Sequence, residues 1–120
     1  MGFENLITLT LRNNQISDVS ALSELSHLIF LLHYVSDITA IYELKNLEIL
    51  RLCNNQISDI SMLSDMPILF NLSLVGNQIN DVSTLSKLTS LTTLNLEGNP
   101  LTEKQVDDLR ALLYNCNISF

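Results

Sequence analysis

A block of 22 residues recurs along this 120-residue chain, and it constrains the fold more than any other feature. Residues 6–27 read LITLTLRNNQISDVSALSELSH, residues 47–68 LEILRLCNNQISDISMLSDMPI, and residues 69–90 LFNLSLVGNQINDVSTLSKLTS. Each follows LxxLxLxxNxIxDhxxLxxLxx, where h is Ile or Val; Leu25 and Met66 fill the same slot. Another copy opens at residue 91 as LTTLNLEGNPL and then departs from the pattern. Residues 28–46, LIFLLHYVSDITAIYELKN, end like the others but are three residues short. A period of this length marks units that stack on one another.

The physical reading is direct. The LxxLxL portion alternates as a strand does, so Leu6, Leu9 and Leu11 point inward. Ile16, Val19, Leu22 and Leu25 follow at wider spacing, which suits a turn and a short helical or 3₁₀ return on the opposite side. One coil cannot bury its own leucines. Stacked coils share a continuous core, with parallel strands about 4.8 Å apart. Asn14, Asn55, Asn77 and Asn99 recur where each strand turns out of the sheet. A carboxamide offers both donors and an acceptor, so it satisfies backbone groups that have no ladder partner there. Asp18, Asp37, Asp59 and Asp81 stand just before the return segment, where a carboxylate caps exposed N–H groups. A calcium stripe is the weaker reading, because each Asp comes without a second carboxylate in its coil.

The motif NQISDVS at 14–20, NQISDIS at 55–61 and NQINDVS at 77–83, each following LxLxx, resembles the leucine-rich-repeat family. The wording is most similar to the bacterial 22-residue, internalin-like subclass. The resemblance implies an α/β fold: a right-handed leucine-rich-repeat solenoid with a concave parallel β-sheet. Short 3₁₀, helical or extended segments would form its convex side, and a C-terminal helix would cap it. It implies one domain over 1–120, with coils at 6–27, 28–46 (shortened), 47–68, 69–90 and 91–101 (partial), and a cap over 102–120. It also implies binding of a partner protein on the concave face. Many proteins of this kind are secreted or held at the bacterial cell surface. A eukaryotic group with similar repeats regulates phosphatases inside the cell. Read alone, the sequence leads one to expect no cap domain ahead of the first coil, no leader in MGFENLITLTLRNN and no wall anchor. Secretion and host adhesion are therefore not carried over, and a cytoplasmic location stays open.

The two ends differ. Thr102 and Gln105 make a capping-box pair within TEKQ, just after Pro100. Val106, Leu109, Leu112 and Leu113 then form one face of a helix running to about Tyr114. The tail CNISF predicts a short strand with Cys116, Ile118 and Phe120 alternating, Cys116 acting as a small buried hydrophobe. At the other end FENL, residues 3–6, matches the tail of a preceding coil, and the first coil is expected to stand uncovered. That predicts either a longer parent protein or end-to-end self-association.

The outward strand positions are the candidate recognition surface. They are Thr8, Thr10, Arg12 and Asn13 in the first coil, Ile49, Arg51, Cys53 and Asn54 in the third, Asn71, Ser73 and Val75 in the fourth, and Thr93, Asn95 and Glu97 in the last. Arg12, Arg51, Ile49 and Val75 stand out, because arginine is enriched at binding hot spots and exposed Ile and Val call for a partner. Against this, every such sheet has outward positions whether or not they bind. The short coil offers a second candidate, a notch lined by Phe30, His33 and Tyr34. The simpler alternative, aromatics plugging irregular core space, is preferred.

Other chemistry finds little support. There is no Gly-rich phosphate loop, HExxH or G-x-S-x-G, which argues against an enzyme. His27 and His33, and Cys53 and Cys116, lack metal-ligand spacing, so neither metal nor cofactor is expected. A Cys53–His33 pair across neighbouring strands is conceivable, but on an open face without an oxyanion hole. Asn71-Leu72-Ser73 and Asn117-Ile118-Ser119 match glycosylation acceptors, which matters only in a eukaryotic secretory setting. The 6 basic and 13 acidic residues, net −7, argue against nucleic acid, and no apolar run is long enough to span a membrane. Hydrophobic residues make up 47 % of the chain, ample for a core. The expected function is protein binding through the concave sheet. The alternatives are a structural spacer of a larger surface protein and a regulatory subunit of a phosphatase-like enzyme.

Overall fold

A computed structural model describes residues 41, 42 and 44–120 in full, together with the backbone of two strands nearer the N-terminus, Thr8–Leu11 (β1) and Ile29–Leu32 (β2). Four more strands follow: Ile49–Arg51 (β3), Asn71–Ser73 (β4), Thr93–Asn95 (β5) and Asn117–Ser119 (β6). All pair in parallel, in the order β1-β2-β3-β4-β5-β6. Each strand is the start of the next turn of a solenoid.

The leucine spacing explains the core. Leu47, Leu50, Leu52, Ile57, Ile60, Leu63 and Met66 of one coil are buried, as are Leu69, Leu72, Leu74, Ile79, Val82, Leu85 and Leu88 of the next. These are the same seven positions, so each side chain packs on its counterpart one coil away. A buried Leu or Ile contributes about 1.5–3 kcal/mol. The central strand column runs Leu9, Phe30, Leu50, Leu72, Leu94, Ile118. On the convex side the return is a 3₁₀ turn at Ser61–Ser64 and again at Ser83–Lys87. Asp59 Oδ1 accepts from the Ser61 N–H at 2.9 Å, and Asp81 Oδ1 from the Ser83 N–H at 2.9 Å. Each aspartate thus caps a return segment; Asp18 and Asp37 lie outside the described residues.

The asparagines join coil to coil. Asn77 Nδ2 donates to Leu74 O and, in the preceding coil, to Leu52 O, both at 2.8 Å. Its Oδ1 accepts from Ile57 N–H at 3.2 Å. Asn99 repeats this one coil later, donating to Leu96 O and Leu74 O and accepting from Ile79 N–H. Asn55 donates to Leu52 O at 2.8 Å, and Asn14 lies outside the described residues.

A second column was not visible in the repeat formula. Asn54 has φ +57°, Gly76 +69° and Gly98 +71°. A Cβ on Gly76 would lie 2.4 Å from Asn54 Oδ1. Asn54 is therefore a corner residue in the left-handed region, not an outward strand residue like its neighbours. Only Asn or Gly occupies this place in the sequence (Asn13, Asn54, Gly76, Gly98), which is the signal that would have found it.

The last coil replaces its 3₁₀ return with a helix, Glu103–Leu112 (α1). The capping box forms: Gln105 N–H donates to Thr102 Oγ1 at 3.2 Å, and Thr102 N–H to Gln105 Oε1 at 2.9 Å. Gln105 Nε2 also reaches back to Asn80 O at 2.7 Å, tying the helix to the previous coil. Val106, Leu109 and Leu113 are buried, but Leu112 is 63 % exposed. Leu112 was expected on the covered face; it lies largely in solvent instead, at the edge of the contact between the helix and the preceding return segment. Ile118 is buried, whereas Cys116 is only half-buried, and burial raises its thiol pKa.

Candidate functional site

The parallel ladder sorts the outward residues into rows that cross the strands. One row is Thr8, Ile29, Ile49, Asn71, Thr93, Asn117; the next is Thr10, Leu31, Arg51, Ser73, Asn95, Ser119. The ladder continues past the strands: Leu52 N–H donates to Ser73 O at 2.9 Å, Asn54 N–H to Val75 O at 2.7 Å, and Gly76 N–H to Glu97 O at 2.8 Å. Cys53, Val75 and Glu97 thereby form a third row. In this third row, and from β3 onward in the other two, every residue is exposed or half-exposed, while the leucines between them are fully buried. Alternation with a period of two explains both halves of that statement.

Most of the expected surface is therefore brought together on one face: Ile49, Arg51, Cys53, Asn71, Ser73, Val75, Thr93, Asn95 and Glu97. Thr8 and Thr10 hold backbone positions in the same rows. Arg12, His33 and Tyr34 lie outside the described residues. Phe30 is in register with Leu50, a core position. Sequence reasoning missed Ile29 and Leu31, which take the register positions of Ile49 and Arg51. The short coil concealed them. The ladder offset is 21 residues from β1 to β2 and 20 from β2 to β3, against 22 from β3 to β4. The shortfall is thus shared between two connections, and a count from Leu28 could not place it.

The chemistry of the face is uneven. Among the described residues Arg51 is exposed, makes no hydrogen bond or ion pair, and is the one cation in these rows. Cys53 Sγ lies 3.1 Å from Ser73 Oγ, so the described partner of this thiol is a hydroxyl. Asn95 Oδ1 accepts from the Glu97 N–H at 3.0 Å, which fixes that amide locally. Elsewhere, a cleft of about 230 Å³ separates the Ser83–Lys87 turn from α1, lined by Val82, Leu109, Leu112, Asp81 and Asp108 among others. Lys104 pairs with Asp108 at its rim, at 2.8 Å. Among the described residues, no three His, Cys, Asp or Glu side chains gather as a metal site would need, and no helix is long and apolar enough to cross a membrane.

Comparison with known proteins agrees with this geometry. The family described as leucine rich repeat matches residues 35–79 and 45–101. No curated protein matches the sequence. Among solved structures, a repeat protein of Leptospira interrogans is 29 % identical with a TM-score of 0.78, over 98 % of this chain and 32 % of its own. Internalin C2 of Listeria monocytogenes is 31 % identical with a TM-score of 0.70, over 96 % of this chain and 61 % of its own. An internalin F of the same species is 29 % identical with a TM-score of 0.61, over 98 % and 42 %. The chain thus spans between about a third and three-fifths of the length of these structures. Domains of this fold serve in general as protein-interaction modules.

Proposed function

Because the chain belongs to the leucine-rich-repeat family, we propose that it recognises a partner protein through the outward face of its parallel sheet. The observation that carries this reading is the face itself. From β3 to β5 it is continuous, solvent-accessible and not covered by any other described element, on a scaffold whose core and hydrogen-bonded corners hold it rigid. A preformed surface loses little entropy on binding. Its mixture of arginine, aliphatic, amide and hydroxyl groups matches the composition of recognition surfaces.

The test is capture of partners from lysate and culture medium with the wild-type chain, an Arg51→Glu/Thr93→Lys variant and a Lys87→Glu control on the convex side. All three must first show equal thermal stability. A protein retained by wild type and control but lost by the double variant supports the reading. Equal capture by all three, or loss only in the convex variant, removes it and favours a spacer or a convex site.

A further inference from the structure

Resting on the concave-face reading, we propose that the part of this face around Arg51 on β3 is its anchor point, and that it takes a partner segment carrying a carboxylate flanked by aliphatic side chains. Three observations converge on that chemistry.

The first is an unsatisfied charge. The chain has 13 acids to 6 basic residues, so a cation on it ought to find a carboxylate easily. Lys45 does, with Asp65 at 2.9 Å; Lys104 does, with Asp108; Arg110 does, with Asp107 at 3.0 Å. Arg51 does not. The carboxylate in these rows, Glu97, lies two strands away, about 10 Å at ordinary strand spacing. Second, Arg51 has aliphatic residues near it beside its polar register partner on β4, Ser73. Ile49 precedes it by two residues on the same strand and is half-buried, and Val75 stands in the next row. Ile29 and Leu31 hold the adjoining register positions on β2. A guanidinium with aliphatic groups beside it binds carboxylate through a planar fork that a lysine cannot reproduce. Third, the rest of the face gives polarity. Glu97 repels a carboxylate at β5, so a partner's acid is directed to β3 by attraction at one side and repulsion at the other.

The probe is a random linear peptide library displayed on phage, panned against the immobilised full chain. Selected peptides are then resynthesised and their affinities measured for wild type, Arg51→Gln, Arg51→Lys and Ile49→Asn. The expected result is enrichment of Asp or Glu beside Leu, Ile or Val, with affinity lower by roughly tenfold or more in Arg51→Gln. Arg51→Lys recovers part of it. Replacing the peptide's acid by its amide costs the wild type a similar factor and costs Arg51→Gln little, because the two changes remove one interaction. Peptides weakened by Ile49→Asn but indifferent to Arg51→Gln overturn the carboxylate anchor while leaving concave binding intact. Peptides indifferent to both substitutions and to Thr93→Lys, or no enrichment at all, count against both. A wild-type chain that dimerises while Arg51→Gln stays monomeric replaces the partner segment with a second copy, and overturns the proposal.

Discussion

The outward rows over β2–β3 and those over β4–β6 stand on the same ladder, yet their chemistry differs. In the first two rows the first half carries Ile49 and Arg51, with Ile29 and Leu31 at the register positions on β2, and the second carries Asn71, Ser73, Thr93, Asn95, Asn117 and Ser119; in the third row Cys53 faces Val75 and Glu97. Beneath them the core column does not change: Leu50, Leu72 and Leu94 are all fully buried. Packing therefore dictates the inward positions and leaves the outward ones free. A contrast confined to the outward positions carries information that the scaffold does not require. Hydroxyls and amides on a solvated strand need no explanation, whereas Ile49 beside an arginine that has no ion pair among the described residues asks for one.

The contrast stands only if the scaffold is equal on both sides. Leu50→Ala and Leu94→Ala should each lower stability by about 2–5 kcal/mol in urea unfolding, with similar values. A difference of several kcal/mol between them would mean that the two halves do not share one core. The seam comes next. Asn77→Ala removes the donors to Leu52 O and Leu74 O and the acceptor for Ile57 N–H, and should cost about 1–3 kcal/mol. Slow amide exchange would then be lost on both sides of Asn77 together; loss on one side alone would show the halves opening separately.

Gly76→Ala sharpens the same seam. It places a Cβ in the left-handed region and against Asn54 Oδ1, at a cost of about 1–3 kcal/mol. Adding Asn54→Gly should return the steric part and leave the conformational part, so the double variant lies between wild type and Gly76→Ala. Arg51→Glu and Thr93→Lys test the faces themselves. Each should change stability by no more than about 0.5 kcal/mol, since both side chains are exposed. Only the first should affect binding of an acidic peptide.

The smallest effect is at Asp81. Its carboxyl is held below its ordinary value of 3.8, first by the Ser83 backbone N–H and then by the Ser83 hydroxyl. A lowered carboxylate favours the fold above that ordinary value, and its contribution is lost as pH falls through the lowered one. The Asp81→Asn variant should thus differ slightly from wild type at neutral pH and converge on it in acid, measured by thermal unfolding. A difference that persists in acid would assign the effect to something other than ionisation.

Much of this was legible in the residues. The stacked coils, the inward leucines, the asparagine corners, the aspartate caps and the Thr102–Gln105 box follow from chemistry repeated at fixed spacing, and each is a local rule that a period exposes. The outward set over β3–β5 followed as well, because a strand that buries alternate residues must expose the others. Arg12, His33 and Tyr34 lie outside the described residues, and so does the expectation of an uncovered first coil that rests on residues 3–6.

Other features belong to the assembled molecule. Ile29 and Leu31 took register positions in these rows only through pairing with β1 and β3, because a short coil has no internal mark of where its missing residues fall. Asn54 became a corner because Gly76 of the next coil leaves room for its side chain, a contact between residues 22 apart in sequence. Leu112 was left exposed because it lines the open cleft between α1 and the Ser83–Lys87 turn. Cys53 found Ser73 through strand register. The sequence by itself determined what each coil buries, since the hydrophobic effect acts on composition and period. Tertiary structure decided which exposed side chains become neighbours, since that depends on how one coil is set against the next.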